Sequence, residues 1–271
     1  MINFLQAIFT YGFLTRALVA GIMISICASL LGVTLVLKRF SMIGDGLSHV
    51  GFGTMAIAMA FNCAPLAVSI PVCVIAAFLL LRVSSNSNIK GDAAIALISS
   101  SALAIGILVT SLTSGLNTDV TSFMFGSILA ISPTDVIISV ILGILILGFY
   151  IIFYNKIFLV TFDEHFATAS GIRADFYNAL IAVLTALTIV IGMRLMGAMM
   201  ISSLIVFPAL SAMRIFRSFF KVILCAITLS IICFIAGITA SFALSTPAGA
   251  SIVTANLIAF LLCMLFERIK K

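Results

Sequence analysis

Val136-Ile-Ile-Ser-Val-Ile-Leu-Gly-Ile-Leu-Ile-Leu-Gly-Phe149 carries a single hydroxyl and no charge, and Val222 to Ile235 carries only Thr228 and Ser230 and likewise no charge. A membrane β-strand alternates apolar and polar positions over about ten residues, so unbroken runs of this length read as helices. Each run is the centre of a longer apolar segment. About 20 apolar residues are enough for a helix to cross the ~30 Å hydrocarbon core.

Working outward from these runs, the composition agrees. Hydrophobic residues make up 63% of the chain and charged residues 8%, with a mean hydropathy of +1.38, outside the range of soluble globular domains. The 271 residues leave room for about eight to ten spans with short connections. The expectation is therefore an all-α, polytopic transmembrane bundle of eight to nine spans in one membrane domain, residues 1–271. The formal net charge of +6 is dispersed among apolar segments, which argues against nucleic acid as a partner. The first apolar run has no Lys/Arg-rich leader and no small-residue cleavage site, so it reads as a retained helix. Cys27, Cys63, Cys73, Cys225, Cys233 and Cys263 lie in or at the ends of apolar runs and form no CxxC. They read as packing residues rather than a disulfide or zinc framework.

Apolar runs set against breakers place nine spans near 11–37, 44–61, 65–82, 92–114, 133–155, 175–193, 196–213, 219–242 and 248–266. With alternating connections, segments 38–43, 82–91, 156–174, 214–221 and 268–271 fall on one side and hold 12 of the 14 Lys and Arg residues. The positive-inside bias makes that side cytoplasmic, with the N-terminus outside and the C-terminus inside. Tyr150, Tyr154 and Tyr177 bracket the 156–174 loop, where amphipathic rings suit the headgroup layer. The stretch from Gly115 to Ser132 is less regular and reads as a half-helix or re-entrant piece. Gly21, Ser25, Ser29 and Gly32 lie close to one face of the first span, a spacing that lets helices approach closely.

Two polar stretches carry the chemistry. Asp45 and His49 stand four residues apart, on one helical face at the start of the second span. Ionisable groups in a span are costly and tend to face a cavity or each other. Two readings follow: a functional pair, or a helix cap at Asp45 with His49 hydrogen-bonded to it. In the longest inner loop, Thr161 or Asp163 can cap a short helix. There Asp163 and Glu164 suit its positive end, Phe162, Phe166 and Ala169 share a face, and Gly171 can end it. Acidic residues at its start fit a protein partner better than a lipid surface. Elsewhere, Asp135 and Arg194 read as capping and anchoring residues, His165 as a surface residue, and Pro208 as a kink or break in the seventh span.

Leu35-Val-Leu-Lys-Arg-Phe-Ser-Met-Ile-Gly-Asp-Gly-Leu-Ser-His49 resembles the opening signature of the ABC-3 family, the membrane subunits of bacterial zinc and manganese ABC importers. Phe162-Asp-Glu-His-Phe-Ala-Thr-Ala-Ser-Gly171 is similar to that family's cytoplasmic coupling segment. Met196-Gly-Ala-Met-Met-Ile-Ser-Ser-Leu-Ile-Val-Phe-Pro-Ala209 and Thr246-Pro-Ala-Gly-Ala-Ser-Ile-Val253 resemble two of its later helices. The resemblance implies a fold like that of type II ABC importers and a multi-pass subunit of the bacterial plasma membrane. It also implies a second permease copy in a homodimer, cytoplasmic ATPase subunits and an extracytoplasmic metal-binding protein. The family's metal-binding Asp and His map onto Asp45 and His49. Its ATPase-coupling element maps onto Phe162, Asp163, Glu164, Phe166 and Gly171. The transported zinc, manganese or iron ion is cargo, with no permanently bound cofactor. Gly46 and Val50 to Gly53 depart from residues common in relatives.

The main rival is a cation channel or secondary transporter working without an ATPase. No lysine here is followed by Ser or Thr, as a GxxxxGK[ST] phosphate loop requires, so any ATP chemistry belongs to a partner. An intramembrane hydrolase is disfavoured because the adjacent Ser48 and His49 point about 100° apart on a helix. The chain is read as a transport subunit, not an enzyme.

Overall fold

The computed structural model describes residues 12–86, 91–113, 126 and 131–270. All the regular elements among them are helices: α1 (Gly12–Leu37), α2 (Ile43–Ala60), α3 (Pro65–Asn86), α4 (Gly91–Leu112), α5 (Pro133–Phe162), α6 (Glu164–Ala169), α7 (Ala174–Met196), α8 (Ala198–Ile215), α9 (Phe219–Leu244) and α10 (Ala248–Lys270). Seven of these helices, α1, α4, α5, α7, α8, α9 and α10, are long and apolar enough to cross a membrane. The nine expected spans are thus matched by seven on those measures. The others are α2, diluted by Asp45, His49 and four glycines, and α3, whose apolar part is the shorter stretch Pro65–Leu80.

α1 is enclosed by α5, α7, α8 and α9, and α2 by α3, α4, α7 and α8, while α10 lies outside against α8 and α9. In hydrocarbon this packing is not driven by expelling water, so close backbone approach and interhelical hydrogen bonds do more of the work. The small-residue face of α1 does this. A Cβ on Gly32 would lie 2.0 Å from the Ile205 carbonyl oxygen of α8. Ser230 of α9 donates to the Ser25 carbonyl at 3.1 Å, and the Tyr150 hydroxyl of α5 donates to the Leu30 carbonyl at 3.0 Å beside Thr34.

α5 runs past the expected span end at residue 155 to Phe162, so much of the expected loop 156–174 is helix. The bend falls at Phe153, where the backbone leaves helical values. Beyond it Lys156 lies over the Phe153 and Tyr177 rings, and Phe158 and Phe162 pack on Phe219 of α9. These contacts give the extra turns an apolar bed. α5 starts at a capping box in which Ser132 and Asp135 satisfy each other's backbone amides, and Asp135 also pairs with Arg194 at 3.2 Å. Pro208 sits inside a helix, α8, that continues through it. Four cysteines are buried, Cys225 is half-buried, and Cys63 is exposed, contrary to a pure packing role. The stretch expected to be irregular, Gly115 to Ser132, lies outside the described residues apart from Gly126, Ile131 and Ser132.

Candidate functional site

α2 begins at Ile43 after a tight turn from α1. Its N-cap is Met42, which makes no side-chain cap bond, and Asp45 sits inside the first turn rather than at the cap position. The capping reading of Asp45 therefore does not hold. The covered faces of the helix are set by its glycines. Gly44 faces Ile205 of α8, Gly46 faces Ile95 of α4, and Gly51 faces Met193 of α7 and Cys73 of α3. Higher up, a Cβ on Gly53 would strike the Ala102 carbonyl oxygen of α4 at 2.6 Å. Only small residues let four helices close this tightly around one.

In the first two turns of α2 what stays open is a short stripe of Met42, Asp45 and His49, at i, i+3 and i+7. Asp45 is 47% exposed at its side chain and His49 17%. One turn above His49 the stripe closes, with Phe52, Gly53 and Ala56 buried. Asp45 Oδ2 and His49 Nε2 stand 3.6 Å apart, wider than a good hydrogen bond. Two donors about 2.1 Å from a tetrahedral ion stand roughly 3.4 Å apart, so the pair is spaced to share one cation. No group of three or more His, Cys, Asp and Glu side chains that could hold a metal ion occurs among the described residues. A cation held by these two side chains alone would be in an open, weak site rather than a closed structural one.

The second expected element is also in place. α6 is capped by Asp163, whose Oδ1 accepts from the Phe166 amide at 2.8 Å. It ends at Gly171, where a positive φ of 82° suits glycine and the Ile172 amide reaches back to the Ala167 carbonyl. Phe166 is 57% exposed, while Ala167 is fully buried and seats the helix on the bundle. Phe162 belongs to the last turn of α5, not to α6, and splits its ring between Phe158 and Phe219 and an exposed face. Glu164, His165 and Ala169 are exposed as well.

Two residues beside α6 escaped the sequence reading. Lys38, just past the end of α1, places its ammonium 3.3 Å from Glu164 Oε2 and on the Asn178 side-chain oxygen of α7. Burial lowers the ammonium from its usual proton affinity, and Glu164 opposes that shift. The available signal is the basic pair Lys38-Arg39, which bears on orientation and on the resemblance of residues 35–49 but does not by itself name a partner on α6.

Several relatives of the chain are named for metal import. The manganese import system permease ScaB of Streptococcus gordonii is 30% identical over 96% of this chain and 93% of its own. The high-affinity zinc uptake membrane protein ZnuB of Haemophilus influenzae is 31% identical over 93% and 96%, respectively. The solved structure of PsaBC from Streptococcus pneumoniae in complex with Fab superposes with a TM-score of 0.86 at 30% identity, covering 97% of this chain and 95% of that one. A family model described as the ABC 3 transport family matches residues 10–267. The chain therefore belongs to the ABC 3 transport family and is a multi-pass membrane transport component rather than an enzyme.

Proposed function

We propose that the chain is the membrane-spanning permease subunit of an ATP-binding cassette importer for a divalent metal ion, manganese, zinc or iron, in a bacterial plasma membrane. The observation that carries this is the Asp45–His49 pair, set 3.6 Å apart on the open stripe of the first two turns of α2. A carboxylate and an imidazole suit all three ions. Weak two-ligand binding suits a path that must release its ion. Relatives named for manganese and zinc import support the substrate class.

In this reading a second copy of the permease faces the first across the path, and the two pairs supply up to four ligands, with water filling the remainder. The chain is one permease domain with nine spans, since the 18 residues of α2 and the 22 of α3 extend about 27 and 33 Å as helices. The end carrying Lys38, α6 and the C-terminus faces the cytoplasm, and the N-terminus faces outward. Phe162 and Phe166 anchor an ATPase subunit, with Asp163, Glu164 and Gly171 shaping the docking helix. A metal-binding protein delivers the ion from outside.

The test is ATP hydrolysis and ion accumulation by the complex reconstituted in liposomes with its ATPase and binding protein, run with manganese, zinc and iron. Accumulation of at least one ion that depends on ATP is expected. Accumulation driven by an ion gradient without ATP would replace this reading with the secondary transporter.

A further inference from the structure

Lys38 joins the two elements to which function was assigned separately. Its ammonium binds Glu164 on α6 and Asn178 in the second turn of α7. Its backbone starts the turn that leads, seven residues on, to Asp45. The lysine side chain is 11% exposed, against 48% for Glu164. The bond is thus shielded on one side, where charge–charge attraction is stronger than at an open surface.

The turn between Lys38 and α2 has little slack. Arg39 is held at φ +63°, a left-handed conformation uncommon for a side chain of this kind. Its amide bonds the Val36 carbonyl at 3.0 Å, the Phe40 amide bonds Leu35 at 2.8 Å, and the Ile43 amide bonds Phe40 at 3.1 Å. Two of these bonds tie the turn back to the end of α1 and the third ties it to the first turn of α2, so Lys38 and the start of α2 share one short hydrogen-bonded turn. α6 itself packs on α5 and α7, so Lys38 extends its reach to the helix that carries the ion ligands.

We propose that Lys38 is the positioning residue through which displacement of α6 by the ATPase reaches Asp45 and His49. This rests on α6 being the ATPase-docking helix, as proposed above. Lys38 touches neither nucleotide nor ion. Its effect is on how much transport each hydrolysed ATP yields.

The experiment uses the full reconstituted complex and measures ATPase capture, ATP hydrolysis, and manganese and zinc uptake. Lys38→Met keeps the length and removes the charge. It is expected to retain capture and hydrolysis within about twofold while the uptake per ATP falls at least about tenfold, the low end for losing its charge-assisted bonds to Glu164 and Asn178. Glu164→Gln, on the exposed partner, spares the fold and should lower the same ratio by a smaller factor because Asn178 still holds the lysine. The exchange of both, Lys38→Glu with Glu164→Lys, should recover much of the ratio, since the Asn178 amide can turn its NH2 toward a carboxylate. An unchanged ratio in Lys38→Met and Glu164→Gln, whether uptake and hydrolysis are both normal or fall together, would overturn the proposal. Failure of the docking reading shows separately, as undiminished ATPase capture by Phe166→Ser.

Discussion

As the proposed ion site, Asp45 and His49 need little from the rest of the chain. Two donors on adjacent turns are converged by helix geometry alone, and glycines elsewhere on α2 let four neighbouring helices wall in its other faces. Groups that merely orient a ligand are worth about 10- to 100-fold in metal affinity. Asp45→Asn removes the charge of a proposed ligand and His49→Ala removes the ligating nitrogen, so each should cut uptake at subsaturating ion by at least about tenfold. Assembly with the ATPase should be unaffected, as judged by co-purification. Near-normal initial rates for either variant would return the pair to a structural role. Gly53 tests the packing that frames it. With a Cβ forced to 2.6 Å from the Ala102 carbonyl oxygen, Gly53→Ala must part α2 from α4. The expected cost is about 1–3 kcal/mol, read as a lower midpoint of thermal unfolding in detergent.

Among the elements, α6 is the one whose stability is least its own. Six residues are far too few to hold a helix in water, so it relies on the Asp163 cap, the Gly171 stop and the buried Ala167. Asp163→Ala removes the cap bond at a cost of about 1 kcal/mol. The expected sign is faster amide hydrogen exchange confined to residues 164–171. Phe166, by contrast, contributes to nothing within the chain that would hide it, and is 57% exposed. Burying a Phe against a partner yields about 1.5–3 kcal/mol, so Phe166→Ser should weaken ATPase capture about 10- to 150-fold while leaving the permease folded. Equal capture by the variant in a titration with purified ATPase would place the docking surface elsewhere. Phe162 is a poorer probe, because its ring also braces α5 against Phe219.

For the whole molecule, the basic residues and the bundle's ends make a topological prediction. Cys63 is exposed in the turn between α2 and α3, and Thr168 is exposed on α6. In a background where the other cysteines are replaced, retained Cys63 should react with an impermeant thiol reagent from outside intact cells, and Thr168→Cys only after lysis. Both reacting from outside would contradict the nine-span alternation. The sequence alone determined that the chain is helical and membrane-embedded, because runs such as Val136 to Phe149 have no other stable state in hydrocarbon. It also placed Asp45 and His49 on one helical face, narrowed the cap of α6 to Thr161 or Asp163 and gave its stop at Gly171, since these depend on spacings of a few residues. Nine helix segments were placed within a few residues of their ends, apart from α5, whose run to Phe162 depends on rings supplied by α7 and α9. Only the tertiary structure decided which stripe of α2 stays open, because that depends on where α3, α4, α7 and α8 lie. It alone brought Lys38 to Glu164 and Asn178, across 126 and 140 residues of chain. Local periodicity carries no information about which distant helix end a lysine will meet, and packing of the whole bundle settles it.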